Sequence, residues 1–143
     1  MSPRRLDPRR LDLGSRRSAL LLAGLLGTAG VLHVVSPRPF DTLVPEWLPG
    51  TARVWTYGSG AAELTTAALL VLPATRRTGG LVAAALFTAV FPGNLQMAVD
   101  WSDRGLLEQA VAYGRLPLQI PLVLWGLRVA KVDVRAAVRE RIS

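Results

Sequence analysis

Four long apolar blocks constrain this chain more than any motif in it. They run over about Ser18–Val35, Val54–Leu72, Gly79–Val99 and Leu116–Ala130. The helix of a soluble protein shows a polar face on every turn, and these blocks do not. A helix needs roughly 20 residues to cross a hydrocarbon layer about 30 Å thick. The first three blocks are long enough. The fourth is short, but the stems of Arg128 and Lys131 can snorkel and extend its reach. Half of the 143 residues are hydrophobic, yet 17 Lys+Arg stand against 10 Asp+Glu. That combination excludes a soluble enzyme, a disordered tail and a disulfide-stapled secreted module. The expectation is all-α: an integral membrane four-helix bundle in the lipid bilayer. The division is a disordered basic arm over 1–17, the bundle over 18–130 and a basic tail over 131–143.

Charge at the flanks sets the orientation. Arg4, Arg5, Arg9, Arg10, Arg16 and Arg17 precede the first block, Arg76 and Arg77 sit in the second connection, and Arg128, Lys131, Arg135, Arg139 and Arg141 end the chain. The opposite side carries only Arg38, Arg53, Arg104 and Arg115. The richer side should be cytoplasmic, which places both termini inside. Trp47, Trp55, Tyr57, Trp101 and Tyr113 gather at the outer ends as an aromatic belt, with Trp125 toward the inner side. Ser15-Arg16-Arg17 invites a twin-arginine signal, but three more apolar blocks follow, so the first reads as a retained span.

The ends of the chain are predicted to meet lipid. Pro3–Asp7 and Pro8–Asp12 repeat the same five residues, a period that fits neither helix nor strand, so the arm is expected to lie on anionic lipid headgroups. No aromatic interleaving accompanies the arginines, so no nucleic acid partner is expected. The last basic residues keep helical spacing, which extends the fourth helix into the headgroups. The outer connection 36–53 is proline-rich and predicts short turns. The outer connection 100–115 predicts a short interfacial helix ending near Gly114.

Few residues can carry chemistry. The chain has no cysteine, so it builds no disulfide, thiolate metal site or dithiol relay by itself. His33 is the one histidine; with Met97 it would be the only axial pair for a haem, and neither haem nor a metal site is expected. Serine triads, P-loops and dinucleotide fingerprints are absent, and no self-contained catalytic constellation remains.

Polar groups inside the blocks are the informative ones. Glu63 lies mid-block, where an ionised carboxylate is costly unless it faces the bundle interior, is protonated or has a partner. Thr56, Ser59, Glu63 and Thr66 follow at i, i+3, i+7 and i+10, one polar stripe on a helix beside the aromatic Tyr57. Either this stripe binds a ligand or relays protons, or it hydrogen-bonds another helix. His33, near the outer end of the first block, can pair with Glu63 directly or through a water or ligand. Pro92 and Gly93 predict a kink in the third block, followed by Asn94 and Gln96. The fourth block adds Gln119. Each helix thus places a polar group in the outer half, and Glu63, His33, Asn94, Gln96, Gln119, Ser59 and Tyr57 are the candidate ligand-binding residues.

Four pieces together, the second of them Tyr57–Leu64 with Leu70–Pro73 and Thr75–Arg77, resemble the DoxX-like family of small four-helix bacterial membrane proteins. They are GVLHVVSPRPFD (Gly30–Asp41), YGSGAAEL (Tyr57–Leu64), Leu70–Pro73 with Thr75–Arg77, FPGNLQMA (Phe91–Ala98) and RLPLQIPLVLW (Arg115–Trp125). The resemblance covers about Leu20–Lys131. It implies a multi-pass protein of the bacterial plasma membrane and a redox or oxidative-stress association, with a redox partner protein. Relatives that feed disulfide formation use cysteine pairs, which this chain lacks. The resulting expectation is an accessory subunit of a membrane redox system that holds a quinone or another small apolar ligand in the outer half of the bundle, and that can form a homo-oligomer. The alternatives are a small proton-coupled transporter using Glu63 and a non-catalytic membrane scaffold.

Overall fold

A computed structural model describes the backbone of residues 8–142, and side chains over 16–130 and 140–142. Among the described residues every regular element is helical. Helix α1 runs Pro8–Val35, a single turn α2 covers Arg38–Asp41, and α3 runs Ala52–Val71. A 3₁₀ turn at Pro73–Thr75 leads into α4, Arg76–Ala89, which passes through Val90 into α5, Phe91–Asp100; α6 closes the chain over Leu106–Ile142.

These helices form a closed antiparallel bundle. α1 packs on α3, α3 on α4, α4 and α5 on α6, and α6 returns to α1. Ala19, Leu22, Ala23 and Leu26 recur at helical spacing on one face of α1 and bury against Leu70, Ala83, Phe87 and Val129. This core fills the end of the bundle that carries the tight 72–75 connection. A smaller core of Met97, Ala98 and Ala112 sits at the other end, under the 36–51 and 101–105 connections. The Trp125 indole donates to Ser18 Oγ at 2.9 Å and ties α6 to α1.

Two glycine crossings set the helix spacing. A Cβ on Gly80 would lie 2.7 Å from Gly126 O and 2.8 Å from Ala130 N, and one on Gly126 would lie 2.8 Å from Ala84 N. Gly80 and Ala84 on α4 therefore meet Gly126 and Ala130 on α6 backbone to backbone, a small-xxx-small pair on both sides. On the α1–α3 side, Gly30 and Gly60 face each other in the same way, each leaving under 3 Å for a side chain.

Several boundaries differ from those expected. The arm was expected disordered over 1–17. Residues 1–7 lie outside the described residues, while 8–17 are helical, with Pro8 in the first turn, where its missing N–H costs nothing. The short interfacial helix ending at Gly114 is not formed. α6 begins at Leu106, where the Glu108 carboxylate accepts from the Gly105 N–H at 3.2 Å, and it continues through Gly114, Pro117 and Pro121. Both prolines lie on the exposed side of α6, where each removes one backbone bond without disturbing the packed face. The predicted kink in the third block is a break at Val90, whose N–H still reaches Leu86 O at 3.0 Å. The tight end is held by Arg76, a buried arginine whose guanidinium caps the carbonyls of Leu70 and Val71 at 3.2 and 3.4 Å.

Two stretches among the described residues are long and apolar enough to cross a membrane, Arg16–Val35 and Pro73–Asp100, with mean hydropathies of 1.9 and 1.5. The sequence blocks suggested four. α3 and α6 fall short because of the residues that shape the interior: Ser59, Glu63 and three threonines on α3, and prolines, glutamines and arginines on α6.

Candidate functional site

The polar stripe of α3 faces inward. Thr56 and Thr66 are buried, Ser59 is half-buried, and the side chain of Glu63 is 13% exposed. Thr66 spends its hydroxyl on Ala62 O, at 2.7 Å, within its own helix. Glu63 meets α1 instead. The Gly30–Gly60 crossing brings the two backbones together one turn from His33, and His33 Nδ1 lies 2.9 Å from Glu63 Oε2. The same nitrogen lies 2.7 Å from Ala29 O. An atom between a carbonyl and a carboxylate oxygen must carry hydrogen, so the imidazole presents Nδ1–H. The hydrogen bond goes to Ala29, and Glu63 Oε2 stays buried without a hydrogen-bond partner. The other face of the ring stacks on Phe40 of α2, with centroids 3.8 Å apart.

Across the bundle, the break at Val90 turns Asn94 inward, where its Nδ2 donates to Gln119 Oε1 at 2.6 Å. Gln119 is 94% buried, and its own Nε2 has no partner. Between these walls lies a cavity of about 610 Å³. Its apolar lining includes Leu25, Leu26, Phe87, Leu118 and Leu122, and its polar lining His33, Thr56, Ser59, Glu63, Asn94, Gln119 and Arg115. Leu43, Val44, Pro45, Trp47 and Leu48 of the 36–51 connection form its roof together with Trp55. A volume of this size accommodates a drug-sized molecule.

Of the seven candidates read from sequence, His33, Ser59, Glu63, Asn94 and Gln119 line this one cavity. Tyr57 and Gln96 do not. Tyr57 is exposed, on the far side of α3, with the Arg53 guanidinium 5.6 Å from its ring centre. Gln96 donates to Asp100 at 2.9 Å and lines a separate surface cleft under the connection. Arg115, Thr56 and Trp55 escaped the sequence reading as lining residues. Thr56 was already on the stripe, whereas the place of Arg115 depends on α6 starting at Leu106, ten residues before its apolar block.

An ion pair anchors the roof. Arg53 donates to Asp41 Oδ2 through Nε at 2.9 Å, and its terminal nitrogen lies 2.8 Å from the same oxygen. The guanidinium, helped by the neighbouring Thr56 hydroxyl, holds the Asp41 carboxyl below its ordinary range.

A family model described as a domain of unknown function, DUF8561, matches residues 22–130. The chain belongs to this family. The DUF8561 match takes in the whole cavity and every candidate residue, and leaves out both basic ends. It also corrects the DoxX resemblance, since no DoxX family matches the chain. The segments that carried the resemblance are built from glycine, proline, leucine and single polar residues, which unrelated helical bundles reuse for close crossings and kinks. The redox association and the redox partner protein came with that resemblance alone and go with it. No curated protein and no solved structure matches the chain.

Proposed function

We propose that this DUF8561 protein is a multi-pass membrane protein that holds a small, largely apolar molecule in the cavity between α1, α3, α5 and α6. The observation that carries this reading is a 610 Å³ space walled largely by leucines and Phe87, among whose lining residues Thr56 Oγ1, Glu63 Oε2 and Gln119 Nε2 are buried without hydrogen-bond partners. The leucines and Phe87 suit an apolar body, and the polar side chains among them can fix its orientation.

The membrane setting is supported by the outer surface. Leu21, Val31, Val35, Val54, Val71, Val99 and Ile120 are all exposed around the bundle, which suits acyl chains and not water. With the arginine-rich ends inside, the cavity lies in the outer half of a bacterial plasma membrane. The basic ends then meet anionic headgroups.

Native mass spectrometry of the full chain, released from nanodiscs, tests the reading. One non-covalent adduct of a few hundred daltons per chain is expected. It should disappear in the cavity-filled variant Ser59→Leu with Ala89→Leu. Bare protein in both samples would contradict the proposal. The contact between His33 and Glu63 favours a second reading, in which the same cavity passes its ligand across the membrane in exchange for a proton; ligand flux in liposomes driven by a pH gradient would reveal it.

A further inference from the structure

The 36–51 connection that roofs the cavity separates two spaces. Below it is the 610 Å³ cavity, and above it the surface cleft of about 770 Å³ that Gln96 lines. Val44, Pro45, Trp47 and Leu48 line both, so one thickness of chain divides them. Backbone hydrogen bonds of this strap close on the strap itself. Asp41 N–H donates to Pro37 O, Leu43 to Phe40 O, Val44 to Asp41 O and Leu48 to Pro45 O. Both ends are pinned to helices: Ser36 N–H donates to Leu32 O at 2.9 Å, and Trp55 Nε1–H to Pro49 O at 2.7 Å. Between the pins the polar tie to the helices is Asp41, which accepts from Arg53 Nε at 2.9 Å. Phe40, stacked on His33, and Leu43, on the smaller core, add apolar contact.

From this arrangement, and resting on the reading of the cavity as a binding site, we propose that the strap is the gate of the cavity and the Asp41–Arg53 pair its latch. A segment whose backbone bonds are all its own can lift without unravelling a helix, and such segments form the low-stability end of a fold. The latch suits release. The Arg53 side chain is 44% exposed, and an exposed ion pair holds only weakly. When it parts, the middle of the strap rises between its two pins, and the cleft and the cavity become one space. The latch also touches the cavity wall, because the Thr56 hydroxyl beside Asp41 belongs to a residue that lines the cavity.

A cysteine inside the cavity reports opening without any ligand. Ser59 lines the cavity and not the cleft, and the chain has no other thiol. Full-length Ser59→Cys in nanodiscs is reacted with a cationic and with an anionic methanethiosulfonate, neither of which crosses lipid. It should react far more slowly than Asp103→Cys, which is exposed. Adding Asp41→Asn or Arg53→Gln should speed the reaction by about two- to fivefold, the worth of an exposed ion pair. Both reagents should speed up alike, whereas a change in local charge alone would move them in opposite directions. The two substitutions together should be no faster than either one, since they break one contact. Gly80→Ala, at the other end of the bundle, should leave the rate unchanged. Equal acceleration by Gly80→Ala would overturn the proposal in favour of general loosening. Unchanged rates in both latch variants, additive acceleration, or a Ser59→Cys as reactive as Asp103→Cys would also overturn it. None of these outcomes touches the adduct sought by native mass spectrometry, so the gate can fail while the binding cavity stands.

Discussion

Glu63 is the residue on which the interior turns. It is the one carboxylate facing the cavity, and its nearest charged or polar neighbour is the one histidine of the chain. Glu63→Gln keeps the shape and one acceptor opposite His33, and should shift unfolding by less than about 1 kcal/mol. Glu63→Ala removes the contact with α1 and enlarges the cavity, and should cost about 1–2 kcal/mol. Thermal unfolding in mild detergent compares the two; equal stability of Glu63→Ala and the parent would mean that the His33 contact holds nothing. Asp41 gives a second residue-level test, this time by pH. Arg53 depresses its carboxyl pKa in the folded state, so the stabilisation is present above the ordinary carboxylate value, near 4, and is lost as pH falls through the lower folded value. The unfolding temperatures of the parent and Asp41→Asn should differ at about pH 6 and converge as the pH is lowered below the ordinary carboxylate value. A gap that stays constant, or widens on acidification, would contradict the pairing.

At the scale of elements, the helices pack through glycines, and the sign of a glycine substitution depends on which one is changed. A methyl on Gly80 would press on the backbone of α6 at 2.7–2.8 Å, where no side chain can yield. Gly80→Ala should therefore destabilise by about 1–3 kcal/mol, the cost of overpacking. Gly24 has nothing within 4 Å, and Gly24→Ala should stabilise α1 by up to about 1 kcal/mol through helix propensity. Opposite signs in a paired melting experiment are the expected result; destabilisation by both would show that α1 packs more tightly around Gly24 than the bundle described.

The same elements show what was legible in the sequence. The inward stripe of α3 was readable because Thr56, Ser59, Glu63 and Thr66 obey the helical period. The convergence of His33, Asn94 and Gln119 was readable because each is a lone polar group in an apolar block. The start of α6 was not. Leu106 to Arg115 mixes charge with leucine, Gly114 looks like a terminus, and only the packing of Ala112 against Met97 and Ala98 makes one continuous helix of it. Nor was the pairing of Gly80 with Gly126, because a glycine in sequence does not reveal what approaches it. Tyr57 and Gln96 lie outside the cavity for a related reason. Both fall within polar segments, yet Tyr57 sits one position off the inward face of α3, and Gln96 finds Asp100 one turn along its own helix.

For the whole molecule, the central claim is a bundle that crosses the membrane four times with the cavity end outward. Two of its helices are apolar enough to suggest crossing by composition. The other two carry Thr56, Ser59, Glu63, Arg115 and Gln119 of the cavity, and their surfaces still expose Val54, Val71, Ile120 and Leu124. Because the chain has no cysteine, single cysteines report sidedness without background. Asp103→Cys lies in the connection at the cavity end, and Ala74→Cys in the tight turn at the other end; both positions are exposed. The most direct measurement is labelling of these two variants in intact cells with a membrane-impermeant maleimide. Asp103→Cys should label at once, and Ala74→Cys only after permeabilisation. Labelling of both from outside, or of Ala74→Cys alone, would contradict the four-crossing bundle and its outward cavity.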